Sequence, residues 1–180
     1  MASYDFAPAG IGAAKPEPGD FLLTRGDYWS SKIIRLGQRL RYSKAHSYYN
    51  HAALVIDDQG GIAEALGDGV VKSYISKYQD SAYYLVKIEA SEEDREQIVR
   101  YADSVLAARY WYGWLTIVSV GLSLLTGGSL VFARASTAIC SGFVSDALVR
   151  AGYIFPKPSA FMIPADLAEY FDIPIGDSLG

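Results

Sequence analysis

The chain has 180 residues but only one cysteine, Cys140, and two histidines, His46 and His51. A single cysteine excludes an intramolecular disulfide framework, and no Cys/His cluster has the spacing of a structural zinc site. Catalytic zinc normally takes three protein ligands, and no third partner stands at a recognisable spacing from the two histidines. We therefore expect no metal centre.

The chain also lacks a basic stripe. Its formal net charge is -4, which argues against nucleic acid as a partner. It has no glycine-rich phosphate loop and no Gly-x-Ser-x-Gly elbow, so we expect no cofactor. The N-terminus has neither a basic start nor an apolar signal core. The chain is therefore expected to be cytoplasmic as synthesised, with export or delivery by a phage particle left open.

One stretch of 24 residues, from Tyr110 to Ala133, carries no charge. Its length would suffice to cross a bilayer, but glycine, serine and threonine dilute its hydrophobicity. We expect a buried or semi-buried helix from Leu115 to Leu125. Contact with a membrane interface through residues 115–132, or a hydrophobic wall of a substrate pocket, remains an alternative.

The rest of the chain is typical of one α+β domain. Residues 1–17 are rich in Ala, Gly and Pro and predict a flexible N-terminal arm, while residues 18–175 are long enough for a single core. Short apolar runs separated by tight turns predict an antiparallel meander. Ser91 and Asp94 form a capping box that predicts the start of a helix. We expect a central antiparallel sheet or half-barrel packed against helices.

Cys140 stands near the start of one of these helices, predicted from Thr137 to Arg150 and ended by Gly152. The positive end of the helix dipole lowers the pKa of a thiol at this position and favours the nucleophilic thiolate. Cys140 is therefore a candidate nucleophile.

His51 and Glu64 are its predicted partners. Period-2 alternation places His51 on one face of its strand and Glu64 on one face of the next, and a hairpin loop of about five residues brings the strands together. Glu64 would accept a hydrogen bond from one imidazole nitrogen, leaving the other to take the proton of Cys140. Backbone N–H groups at the helix start, including that of Cys140, would form part of an oxyanion hole.

Each of these residues also has a purely structural interpretation. A cysteine between Ile139 and Phe143 is often a small buried hydrophobe, and a histidine at a strand start is often structural. A carboxylate at Glu64 is harder to dismiss, because burying it is costly without a partner. A catalytically silent binding or structural module predicts His51 and Cys140 more than about 6 Å apart, since proton transfer needs hydrogen-bond reach.

Tyrosine is abundant, with 14 residues, several of them in near-adjacent groups. They favour one of two arrangements. The tyrosines pack at the edge of the core, with the ring buried and the hydroxyl in contact with water, or they line a binding groove. The candidates for a pocket beside the thiol are Tyr110, Tyr112, Tyr49 and Asp20.

The order of these motifs resembles the circularly permuted NlpC-type papain-like hydrolases. This group includes the YiiX- and YaeF-like proteins and is related to the lecithin:retinol acyltransferase family. The permuted members run histidine, third polar residue, then cysteine. The residues that carry the resemblance are Pro18-Gly19-Asp20-Phe21-Leu22-Leu23, Asn50-His51-Ala52-Ala53-Leu54-Val55, Ala63-Glu64-Ala65 with Gly69-Val70, and Cys140-Ser141-Gly142-Phe143-Val144.

The resemblance implies a papain-like fold with Cys140 as nucleophile, His51 as general base and Glu64 as the residue that orients His51. It implies a peptide or acyl substrate. Known activities of such proteins are hydrolysis of amide bonds, including those of cell-wall peptides, and acyl hydrolysis or transfer on lipids. The uncharged segment from Tyr110 to Ala133 departs from the simplest family pattern and favours the lipid alternative. The sequence does not choose between them and does not predict an oligomeric state.

Overall fold

The computed structural model describes residues 3–7, 15–25, 48–66, 69–108 and 140–173, and every structural statement below concerns those ranges. The uncharged segment 110–133 and the helix predicted at residues 115–125 lie outside them. The same holds for residues 137–139, where the sequence predicts the first part of the thiol-bearing helix.

Within the described ranges, six strands form one open antiparallel sheet with the order β1-β6-β2-β3-β4-β5. The predicted meander is confirmed for β3, β4 and β5, which pair consecutively as hairpins. The strands are β1 (Ser3–Ala7), β2 (Phe21–Thr24), β3 (His51–Val55), β4 (Gly61–Leu66), β5 (Gly69–Tyr74) and β6 (Tyr83–Lys87).

The edge strand β1 lies within the segment that the sequence predicts to be a flexible arm. Residues 3–7 instead pair with β6, with Ser3 opposite Lys87 and Ala7 opposite Tyr83. Ala7 is fully buried, so this short strand belongs to the sheet. The predicted domain boundary at residue 18 is otherwise not tested and stays a prediction.

Three described helices pack against the sheet, which makes the fold α+β as predicted. They are α1 (Glu92–Ala107), α2 (Cys140–Val149) and α3 (Pro164–Tyr170), and two 3-10 helices cover Ile75–Tyr78 and Ser159–Phe161. None of the described helices is both long and apolar enough to cross a membrane.

The two faces of the sheet have different neighbours. One face packs in a single core cluster with the three helices, through strand residues such as Phe21, Leu54 and Val86. The opposite face belongs to a second cluster with Leu22, Ala53 and Tyr78 among its members. Because side chains alternate along a strand, β3 contributes to both clusters and connects the helical layer to the opposite face.

Helix α1 begins with the capping box that the sequence predicts. The backbone N–H of Asp94 donates to Ser91 Oγ at 3.2 Å, and the backbone N–H of Ser91 donates to Asp94 Oδ2 at 3.4 Å. Its buried side consists of Ile98, Ala102 and Val105. These local signals fix the start of α1 and the side that it turns to the core.

The first turn of α2 is held tightly against the segment that precedes α3. A Cβ atom on Gly142 would stand 2.7 Å from the carbonyl oxygen of Ser159, so only glycine fits without a shift. The Ser141 hydroxyl donates to the carbonyl oxygen of Met162 at 2.6 Å. At its other end the chain turns through Gly152 with φ +81°, the left-handed cap that the sequence predicts.

Candidate active site

His51 and Glu64 lie on the same face of the sheet because of the register between β3 and β4. Ala53 stands opposite Glu64, and His51, two residues before Ala53, has the same orientation. His51 Nε2 and Glu64 Oε2 are 3.0 Å apart, within hydrogen-bond distance. The Glu64 side chain is fully buried and that of His51 is 14% exposed.

Cys140 is the first residue of α2 and is 5% exposed. Its thiol lies beside His51 and the backbone N–H groups of Ala52 and Ser141, and all three groups lower its pKa. Since His51 Nε2 is engaged by Glu64, the imidazole nitrogen left for the thiol is Nδ1. The structure thus brings Cys140, His51 and Glu64 together, with the thiol beside the imidazole and the imidazole hydrogen-bonded to the carboxylate.

The charges of these groups stabilise one another. Burial of the ring lowers the pKa of His51, but hydrogen bonds to Cys140 and Glu64, and the attraction of both groups, outweigh it and raise the pKa to about 9. Burial raises the pKa of the Cys140 thiol, but the hydrogen bond from His51, its charge and two backbone N–H groups hold that pKa below its usual value. The arrangement favours a thiolate–imidazolium pair at neutral pH.

Glu64 has three further partners that sequence reasoning missed. Lys77 Nζ donates to Oε1 at 2.7 Å, and Tyr78 Oη donates to Oε2 at 2.6 Å. The Ser73 hydroxyl makes a short hydrogen bond to Oε1. Burial raises the pKa of Glu64, but the hydrogen bonds from His51 and these three groups hold it far below its usual range. The carboxylate is therefore ionised despite being buried.

Of these three residues, Ser73 could have been found from the sequence pattern. Ser73 follows Val71, the partner of Glu64, by two residues, so period-2 alternation would place it beside Glu64 once the register of β4 and β5 is known. Lys77 and Tyr78 stand on a 3-10 helix of four residues. So short an element has no periodic pattern that could be recognised.

The structure places the described pocket candidates in the core. Tyr49 is 1% exposed, and its ring packs against those of Tyr48 and Tyr84 with centroids 5.4 and 5.9 Å away. Burial and the neighbouring tyrosines raise its pKa, so its hydroxyl stays protonated. Tyr110 and Tyr112 lie outside the described residues, and their role in a pocket stays a prediction.

Asp20, the fourth pocket candidate, is also fully buried. It accepts hydrogen bonds from Arg95 Nη1 at 3.0 Å and from the backbone N–H groups of Ile88 and Glu17 at 3.2 and 3.0 Å. Arg95 also donates to the carbonyl oxygens of Pro18 and Ile88. These contacts tie the start of β2 to the end of β6 and to α1.

A cavity of about 600 Å³ lies at the far end of α2. It begins beyond Val149, whereas Cys140 is the first residue of this ten-residue helix, so about 15 Å of helix separates them. It is lined by Glu89, residues 151–154 and residues 170–172. This cavity is not part of the Cys140 site.

In the part of the chain that the structure describes, no group of three or more His, Cys, Asp or Glu side chains could hold a metal ion. The cluster around Cys140 consists of a thiol, an imidazole, a carboxylate and hydrogen-bond donors. Such a set is suited to nucleophilic catalysis, in which a base and an orienting group activate the attacking atom. No family model matches the chain, and a search of the curated proteins finds no match either.

Proposed function

We propose that this protein is a cysteine-dependent hydrolase acting on amide or peptide bonds through Cys140, His51 and Glu64. The observation that supports it most is that the thiol lies beside an imidazole which is itself hydrogen-bonded to a buried carboxylate. A catalytically silent module predicts His51 and Cys140 more than about 6 Å apart. The close approach of the thiol and the imidazole favours the hydrolase instead.

In this mechanism the Cys140 thiolate attacks the carbonyl carbon of the substrate and forms a C–S bond, while the π electrons move onto oxygen. His51 gives its proton to the leaving nitrogen as the C–N bond breaks, which leaves a thioester. Water then attacks the thioester carbon, His51 takes a proton from that water, and the sulfur leaves. Glu64 holds the imidazole in one orientation throughout. Backbone N–H groups at the start of α2 would stabilise the oxyanion.

We further propose that the fold is papain-like, of the circularly permuted NlpC type. Two observations support this assignment. The thiol starts a helix that packs on an antiparallel sheet, and the histidine and the carboxylate precede it on neighbouring strands β3 and β4. The chain order His51, Glu64, Cys140 is the order that the resemblance implies for permuted members.

Peptides, including those of cell walls, are the first candidate substrates. Acyl lipids are the second, because the 24 uncharged residues from Tyr110 to Ala133 precede the thiol helix and are suited to an apolar wall. Release of fatty acid from a phospholipid panel, abolished by Cys140→Ala, would favour lipids. Cleavage of cell-wall peptides with the same dependence on Cys140 would favour the first candidate.

The decisive experiment uses the single cysteine as its own reporter. At about pH 6.5 an ordinary thiol, with a pKa near 8.5, is only about 1% thiolate. We expect iodoacetamide to modify Cys140 at least about tenfold faster than an unperturbed thiol, and His51→Ala to remove that advantage. His46→Ala, which changes the other histidine, is the matched control and should react like the wild type. Sluggish modification of the wild type would contradict the proposed function.

A further inference from the structure

Lys77 is the one cationic side chain among the Glu64 partners that the proposed mechanism leaves unused. It stands on the 3-10 helix after β5 with its side chain 36% exposed, and its ammonium group contacts Glu64 Oε1 at 2.7 Å. His51 takes the other oxygen, Oε2, at 3.0 Å. One buried carboxylate is therefore shared between two cations when His51 is protonated.

This sharing affects the imidazole. Glu64 attracts the His51 proton, whereas the Lys77 ammonium, on the far side of the same carboxylate, repels the imidazolium. A general acid has to release its proton to the leaving group, and one that is held too firmly transfers it poorly at neutral pH. A carboxylate with His51 as its only charged partner would hold that proton more firmly than one shared with Lys77.

We propose that Lys77 is a positioning residue for the proposed hydrolase: it takes part of the Glu64 charge and so limits how firmly Glu64 holds the His51 proton. The inference rests on the proposed function for its catalytic meaning, but the electrostatic coupling between Lys77 and His51 can be measured without any substrate. Lys77 acts through Glu64.

The other groups that face Glu64 set the background for this coupling. Within the described residues these are His51 of β3, Ser73 of β5 and Tyr78 beside Lys77, with Cys140 of α2 behind His51. Ser73 and Tyr78 donate neutral hydrogen bonds. Lys72 precedes Ser73 on β5, so its side chain points to the opposite face of the sheet, where it pairs with Asp57 at 3.3 Å. It therefore supplies a nearby charge that does not contact Glu64.

The test measures the titration of His51 by NMR of the imidazole nitrogens in the full chain. The chain has only two histidines, so His46→Ala assigns the His51 signal. We expect Lys77→Gln, which retains a hydrogen-bond donor but loses the charge, to raise the pKa of His51 by about half a unit to one unit. Lys77→Arg should stay within a few tenths of the wild type. Lys72→Gln, the matched control, should also stay there.

A second measurement reports the charge of His51 through the rates at which Cys140 is alkylated. Anionic iodoacetate is attracted by a protonated His51 whereas neutral iodoacetamide is not, so the ratio of their alkylation rates at Cys140 falls as His51 loses its proton. Lys77→Gln should move the midpoint of that fall upward by the same amount. Reduced salt should enlarge the shift, since Lys77 is partly exposed.

The outcomes are distinguishable. A His51 titration that is unmoved or moves downward in Lys77→Gln overturns the inference, and so does an equal shift in Lys72→Gln, which would show a general charge effect. Slow alkylation of wild-type Cys140 at about pH 6.5 overturns the proposed function, while the NMR titration still decides whether Lys77 acts on His51. Lys77→Arg with a wild-type titration, beside a shifted Lys77→Gln, supports the inference.

Discussion

Asp20 and Glu64 are two fully buried carboxylates, and they are held in different ways. Asp20 is bound by two backbone N–H groups and by Arg95, whose guanidinium also donates to two backbone carbonyl oxygens. Glu64 is bound entirely by side chains, including the titratable His51.

The difference distinguishes a carboxylate that holds the fold together from one whose charge is coupled to a neighbouring group that can titrate. A carboxylate fixed by backbone groups and an arginine has partners whose protonation never changes in the ordinary pH range. A carboxylate fixed by an imidazole has a partner that can gain or lose a proton, so its charge is coupled to that of the imidazole. We infer that Asp20 serves the fold and that Glu64 serves the chemistry, and two changes test this contrast.

The largest expected effect is on the structural side. Arg95→Met keeps much of the unbranched stem but leaves Asp20 buried without its cation and leaves the Pro18 and Ile88 carbonyl oxygens without their donor. We expect the free energy of unfolding to fall by about 3–5 kcal/mol, measured by urea denaturation. In the molecules that remain folded, the alkylation rate of Cys140 should not change.

Arg100→Met is the matched control, because among the described residues Arg100 pairs only with Glu96, four residues earlier on α1 and likewise exposed. Its loss should cost less than about 0.5 kcal/mol. A loss below about 1 kcal/mol for Arg95→Met would contradict the structural role of the Asp20 cluster.

A smaller effect on stability but a clear one on reactivity is expected at Glu64. Glu64→Gln removes the charge that helps to raise the pKa of His51, so that pKa should fall, and with it the share of thiolate at Cys140. We expect alkylation by iodoacetamide at about pH 6.5 to slow about tenfold or more. Lys77→Gln should move the His51 pKa in the opposite direction. Unchanged alkylation in Glu64→Gln would show that the carboxylate does not act on the pair.

The last expected effect is on how steeply the free energy of unfolding changes with pH. The pKa of folded Glu64 lies far below its usual value of 4.5, so its contribution is present above about pH 4.5 and is lost as the pH falls toward the folded value. The free energy of unfolding of the wild type should therefore fall more steeply in acid than that of Glu64→Gln, by up to about 1.4 kcal/mol per pH unit. Parallel curves from urea titrations at several pH values would contradict this.

The placement of His51 beside Glu64 could be predicted from the sequence. Strand alternation is local, so His51 and Glu64 could be assigned to one face from their own neighbours. The capping box at Ser91 and the glycine cap at Gly152 are equally local. Cys140 could be singled out because it is the one cysteine of the chain and stands near a predicted helix start.

The rest depends on contacts between distant parts of the chain. The sequence analysis names Asp20 as a pocket candidate, and nothing near it in sequence reveals its partner Arg95, 75 residues away. Strand β1 lies next to segments rich in Ala, Gly and Pro, and it exists because it pairs with β6, about 80 residues later. Lys77 and Tyr78 reach Glu64 through a 3-10 helix whose position depends on where β5 ends.

The sharing of Glu64 by two cations also bears on how substrates arrive. With Cys140 as thiolate and His51 as imidazolium, the two negative and two positive charges of Cys140, His51, Glu64 and Lys77 cancel. The field of a balanced group decays faster with distance than that of a net charge. For the proposed hydrolase, a charged substrate would therefore gain little long-range steering from this group, and its encounter rate would depend only weakly on ionic strength through it. Selection would then depend on close contact with the residues around the thiol.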